Sequence, residues 1–110
     1  MRGYGARIAL ELFAEHVTVF VTAELENHRS EDFGRFEDVV GKEPEIIGCW
    51  ALGGGLDYLF QVVTSNVTTY QRLIDRLLES EAGLKRYYSY IVTKEVKAGG
   101  AIPVELFTGG

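Results

Sequence analysis

The chain has 110 residues, 46% of them hydrophobic and 25% charged, and carries a formal net charge of −5. This composition suits one globular domain able to bury roughly 65% of its unfolded surface, and excludes disordered and fibrous classes. The acidic balance, with no cluster of Lys or Arg, weighs against nucleic acid as a direct partner, and no apolar run approaches the ~20 residues of a membrane span.

The first residues, Met1 to Arg7, lack the uninterrupted apolar core of a signal peptide, and a cytoplasmic location is expected. Cys49 is the single cysteine, so no intrachain disulfide can form. Val17 to Glu26 alternates as a strand, with Val17, Val19, Val21, Ala23 and Leu25 on one face and an intruding Phe20 on the other. Asn27, His28 and Arg29 read as a turn, and Ser30 as the N-cap of a helix whose apolar side is Phe33, Phe36, Val39 and Val40. Gly41 ends that helix and Pro44 prevents its resumption.

Ile46 to Leu52 and Tyr58 to Val63 are apolar runs flanking Gly53, Gly54, Gly55, Leu56 and Asp57, the pattern of a β-hairpin with a permissive tip. Ser65 or Asn66 caps a second helix, with Val67, Tyr70, Leu73, Ile74, Leu77 and Leu78 as its apolar stripe and Gly83 as its terminator. Leu84 to Val96 reads as a long strand rich in tyrosine. The tail could add a short edge strand, since Pro103 argues against a central one.

Strand-helix-strand-strand-helix-strand is the order of a ferredoxin-like α+β fold, a two-layer sandwich with both helices on one face of an antiparallel sheet. Phe20, Trp50 or Cys49 and several strand tyrosines cannot all point at the helices. Self-association through the open face is the economical explanation.

The strand at 17–26, the Phe33/Phe36 helix and Cys49 before Gly54-Gly55-Leu56-Asp57-Tyr58-Leu59 together resemble the effector-binding domain of the Lrp/AsnC (feast/famine) transcription regulators. Tyr70 and Glu95-Val96-Lys97 match as well. The resemblance covers about residues 17–97. Gly3-Tyr4-Gly5-Ala6 is similar to the family's linker, which follows a DNA-binding helix-turn-helix, so residues 1–16 are expected to be a linker or the remnant of an extra strand, and 98–110 a C-terminal edge strand or tail. The helix-turn-helix is expected to be missing from this chain, which then binds no operator directly.

The resemblance implies a non-enzymatic domain that binds an amino acid or related effector. It also implies assembly into dimers through the sheets and into rings, commonly octamers, as a tetramer of dimers. Effector binding then shifts the assembly equilibrium. Asp57 matches the family's pocket acid, where a carboxylate beside free amides can hold a zwitterion. Gly54, Gly55 and Tyr58 belong to the same hairpin. Ser89, Tyr90, Ile91 and Val92 match the strand that lines the pocket from the neighbouring subunit, with Val67 a weaker candidate. Gly55 stands where family members often carry an acid.

Each of these residues also has a plainer reading: Asp57 as a turn cap, the glycines as turn formers, the strand residues as core. Base stacking on Trp50 and the tyrosines is disfavoured by the negative charge. His16 and His28 have no further ligand at metal spacing, so neither a metal nor a cofactor is expected, and no nucleophile–base pair stands out. Two rivals remain. One is a dimeric α/β-barrel enzyme using Tyr58, Tyr88 or Tyr90, and the other an assembly module without an effector.

Overall fold

In a computed structural model, residues 16–100 and 103 are described. The elements are β1 (Val17–Leu25), α1 (Ser30–Gly41), β2 (Ile46–Ala51), β3 (Tyr58–Thr64), α2 (Val67–Glu79) and β4 (Leu84–Ile91). All strand pairs are antiparallel, in the order β2-β3-β1-β4. This is the expected ferredoxin-like arrangement.

Alternation along β1 sends Val19, Val21, Ala23 and Leu25 into the core, and β3 adds Tyr58, Phe60 and Val62. Phe36 and Val40 of α1 and Tyr70, Leu73, Ile74 and Leu77 of α2 close over them, so both helices cover one sheet face. The registers pair Phe20 with Gln61 and Tyr90, and Leu59 with Trp50. Those side chains therefore share the other face, while Cys49, opposite Phe60, looks toward the helices. An irregularity between Ile46 and Gly48 resets the register of β2. A Cβ on Gly48 would meet the Trp50 indole at 2.6 Å, so the ring lies directly over this glycine.

Several boundaries differ from expectation. Arg29, not Ser30, is the N-cap of α1, because Asp32 reaches back to the Arg29 amide at 3.0 Å. Of the two expected caps of α2 it is Asn66 that serves, its side-chain oxygen accepting from the Thr69 amide at 2.8 Å. Leu78 and Val67 are exposed and lie outside the buried stripe. The last strand stops at Ile91 rather than Val96: beyond the Val92 amide, which donates to Thr18 O, β1 has no further partner to offer. The expected linker at 1–16 and edge strand at 98–110 fall, but for a few residues, outside the described ones.

Candidate functional site

Asp57 is the residue around which the hairpin end is organised. Its amide donates to Ala23 O at 3.0 Å and its carbonyl accepts from the Leu52 amide at 2.9 Å, which ties the loop to β1 and closes the hairpin. Its carboxylate accepts from the Leu25 amide at 2.8 Å and lies 2.9 Å from His28 Nε2. The side chain is 20% exposed. The turn-capping role is therefore real, and it leaves part of the side chain accessible.

Among the described residues, no hydrogen bond involves the backbone of Gly53, Gly54 or Gly55. Only Gly54 of the three needs its missing side chain, with φ of +123°. Unengaged amides thus lie two to four residues from a partly exposed acidic side chain in the same hairpin.

Tyr58 points the other way, into the helix-facing layer. It stacks on Phe36 with ring centroids 4.4 Å apart, and its hydroxyl donates to Glu37 Oε2 at 2.5 Å. Burial, and then the bond and charge of Glu37, push its phenol far up. A groove of about 400 Å³ lies alongside, lined by Glu37, Val40, Gly41, Cys49, Ala51 and Tyr58. Tyr58 is a wall residue there and a core anchor, remote in role from the accessible edge of Asp57.

Ser89, Tyr90 and Ile91 pair with Val21, Phe20 and Val19, toward the start of β1, and Val92 joins Thr18. Asp57, whose amide meets Ala23 O, lies beside Glu24 near the other end of β1. From Glu24 to Val21, opposite Ser89, is three residues or roughly 10 Å of strand, and to Thr18, beside Val92, six residues or roughly 20 Å. The second group also flanks β1 on the β4 side, whereas the hairpin flanks it on the β3 side. Val67 begins α2 just after Thr64, which pairs with Val17, so it shares the end of Val92. Within one chain the candidate residues thus form two groups: Gly54, Gly55, Asp57 and Tyr58 near one end, and Val67 with Ser89–Val92 running from the middle of β1 to the other. Ser89 is itself engaged, its hydroxyl bonded to the Tyr70 hydroxyl behind the strand. Tyr90 is 57% exposed on the open face.

Two contributors escaped the sequence reading. His28 and Glu37 lie 29 and 21 residues from the partners they touch, and no local pattern signals such pairs. The β1–β3 register is the signal that finds His28, since pairing Ala23 with Tyr58 brings Asp57 to the turn after β1. No group of three or more His, Cys, Asp or Glu that could hold a metal ion occurs among the described residues. No helix among them is long and apolar enough to cross a membrane.

Residues 18–102 match the Lrp/AsnC ligand binding domain. The chain belongs to the Lrp/AsnC family. It is 46% identical over 101 residues to the transcriptional regulatory protein DoeX of Halomonas elongata, covering 92% of this chain and 64% of that protein. It is 33% identical over 89 residues to the DNA-binding transcriptional activator DecR of Escherichia coli K12, covering 81% and 59%. Among solved structures, an AsnC family regulator from Agrobacterium tumefaciens superposes with a TM-score of 0.77 at 24% identity, over 89% of this chain and 63% of that one. A Neisseria meningitidis transcriptional regulator in complex with L-Met gives 0.74 at 26% identity, over 82% and 58%. The chain therefore spans less than two thirds of the length of these Lrp/AsnC proteins. It corresponds to the ligand-binding domain of such regulators.

Proposed function

We propose that residues 17–97 form the amino-acid-sensing and assembly unit of a cytoplasmic Lrp/AsnC-type transcriptional regulator, without catalytic activity. The observation that carries this reading is the Asp57 side chain, partly exposed at a hairpin whose Gly53, Gly54 and Gly55 amides are unengaged. An α-amino acid presents an ammonium and a carboxylate a few ångströms apart. The acid would take the first, and the bare amides the second. The L-Met complex of the Neisseria relative supports the ligand class.

Ser89 to Val92 stand about 10 to 20 Å along the sheet from Asp57 and on the other side of β1, so we assign the sharing of one ligand by the two groups to a subunit boundary. The site we assign is therefore completed by a second copy, and effector binding would act by favouring one assembly over another. Contact with DNA is assigned to parts of the regulator other than this acidic unit.

The enzyme alternative loses support from the placement of its candidates. Tyr58 faces the helices, while Tyr88 and Tyr90 stand on the opposite sheet face. An assembly module without an effector is favoured only by Gly55, the glycine at a position where the family often has an acid.

Thermal unfolding against the twenty L-amino acids at millimolar concentration tests the reading. A ligand at 100 times its Kd stabilises by about 2.7 kcal/mol, a shift of several degrees for a domain of this size. Asp57→Asn keeps an acceptor for the Leu25 amide and removes the charge, so it should abolish a selective shift. If no amino acid moves the wild-type transition, the sensing reading is wrong and the assembly module stands.

A further inference from the structure

Both hydrogen bonds to the Asp57 carboxylate converge on one oxygen. The Leu25 amide and His28 Nε2 meet Oδ2 at 2.8 and 2.9 Å, and among the described residues neither a hydrogen bond nor an ion pair reaches Oδ1. His28 is half exposed, yet its ring is held: it lies 5.8 Å from Phe33, tilted by 51°, and Phe33 in turn meets Tyr58 edge-on at 6.2 Å. A carboxylate held by the Leu25 amide alone could swivel about that bond. A second donor on the same oxygen stops the rotation, and a binding group has to be held within about half an ångström to be effective.

The chemistry of the second donor also matters. A lysine or arginine on Oδ2 would hold the carboxylate equally well but would cancel its charge. An uncharged imidazole N–H holds it and leaves the negative charge available to a cation.

We infer that His28 is a positioning residue of the effector site: it clamps Oδ2 of Asp57 so that Oδ1, with the full charge of the carboxylate, receives the effector's ammonium group. This rests on the reading of Asp57 as the effector acid. It adds a selectivity, because ligands bearing an ammonium are favoured over the matching 2-oxo acids through His28 as well as Asp57.

The test is titration of the full chain at pH 8 with the twenty L-amino acids and, for any that binds, with its 2-oxo acid. The proteins are wild type, Asp57→Asn, His28→Ala, His28→Gln and His28→Lys. Loss of a hydrogen bond to a charged group predicts that His28→Ala weakens amino-acid binding about tenfold or more. It should also narrow the preference over the 2-oxo acid. Gln, a neutral donor of similar reach, should restore both, and Lys should restore neither. A purely structural role for His28 would lower the unfolding temperature of the free protein without changing that preference.

If His28→Ala binds like wild type while Asp57→Asn does not, the role of His28 is overturned and Asp57 keeps its own. If Asp57→Asn also binds normally, or no amino acid binds at all, both fall. Should His28→Ala not fold, the Gln and Lys variants decide: equal binding by the two overturns the requirement for a neutral donor.

Discussion

Asp32 is a carboxylate buried in the first turn of α1, and it shows how a short stretch can hold a charge out of water. Burial alone would push its carboxyl up. Hydrogen bonds from the Arg29 side chain and amide, at 3.1 and 3.0 Å, and the charges of Arg29 and Arg35 outweigh that and hold it below its ordinary 3.8. A carboxyl with a lowered folded-state value stabilises above its ordinary value, and this is lost as pH falls through the lowered one. Asp32→Asn should lower the unfolding temperature at pH 7 and flatten its decline below pH 4, measured by circular dichroism across pH. An unchanged acid limb would remove Asp32 from the account. Cys49 illustrates the opposite direction. Burial, and next the charge of Glu37, push its thiol up from 9.0 to about 11. The neutral thiol is thus favoured on folding, and that stabilisation is full below pH 9.0 and lost as pH rises through about 11. Only the thiolate is alkylated, so iodoacetamide labelling at pH 8 should run about a hundredfold slower than for a free thiol and climb with pH toward 11. Rapid labelling at pH 8, read by intact mass, would contradict this environment.

Among the elements, α2 shows where helical spacing is sufficient and where it is not. Tyr70, Leu73, Ile74 and Leu77 recur at three- and four-residue steps and are buried against the sheet. Leu78 fits the same stripe on paper, yet it is 49% exposed, because it lies at the margin of an arc that the sheet does not reach. Leu73→Ala should therefore cost about 3 kcal/mol and Leu78→Ala about 0.5 kcal/mol or less, by denaturant unfolding. Comparable losses would mean that a further surface covers Leu78. The strands repeat the lesson. Alternation in β1 and β3 was readable because one face of each is dry. In β4 the β-branched residues Val92, Thr93 and Val96 continue past Ile91, where the strand ends, so composition overstated the strand.

At the scale of the molecule, the sheet face away from the helices is the face that neither helix covers. Phe20, Leu59, Trp50, Tyr88 and Tyr90 share it by register, and three of them are about half exposed, Tyr88 at 48%. Such a contiguous aromatic patch favours coverage by a second copy, as the proposed assembly requires. Tyr88→Glu places a charge there without touching the core. Sedimentation velocity should then show dissociation of the assembly with an intact circular dichroism spectrum. An unchanged sedimentation coefficient would mean that any assembly uses another surface.

By itself the sequence determined the order of the elements, the faces of β1 and β3, most of both helix stripes and the resemblance to Lrp/AsnC regulators. Those properties are encoded at periods of 2 and 3.6 residues, or as short ordered motifs, and can be read within a window of a dozen residues. Only the tertiary structure decided that Asp57 is shared between the Leu25 amide and His28, and that Tyr58 turns inward to Glu37. It alone also separated the candidate site residues into two groups along one sheet. These depend on strand register and crossovers, which bring residues 20 or 30 positions apart into contact. No periodicity records such a pairing. The same distance in sequence explains why Asp57 was legible as a candidate acid while the histidine that holds it was not.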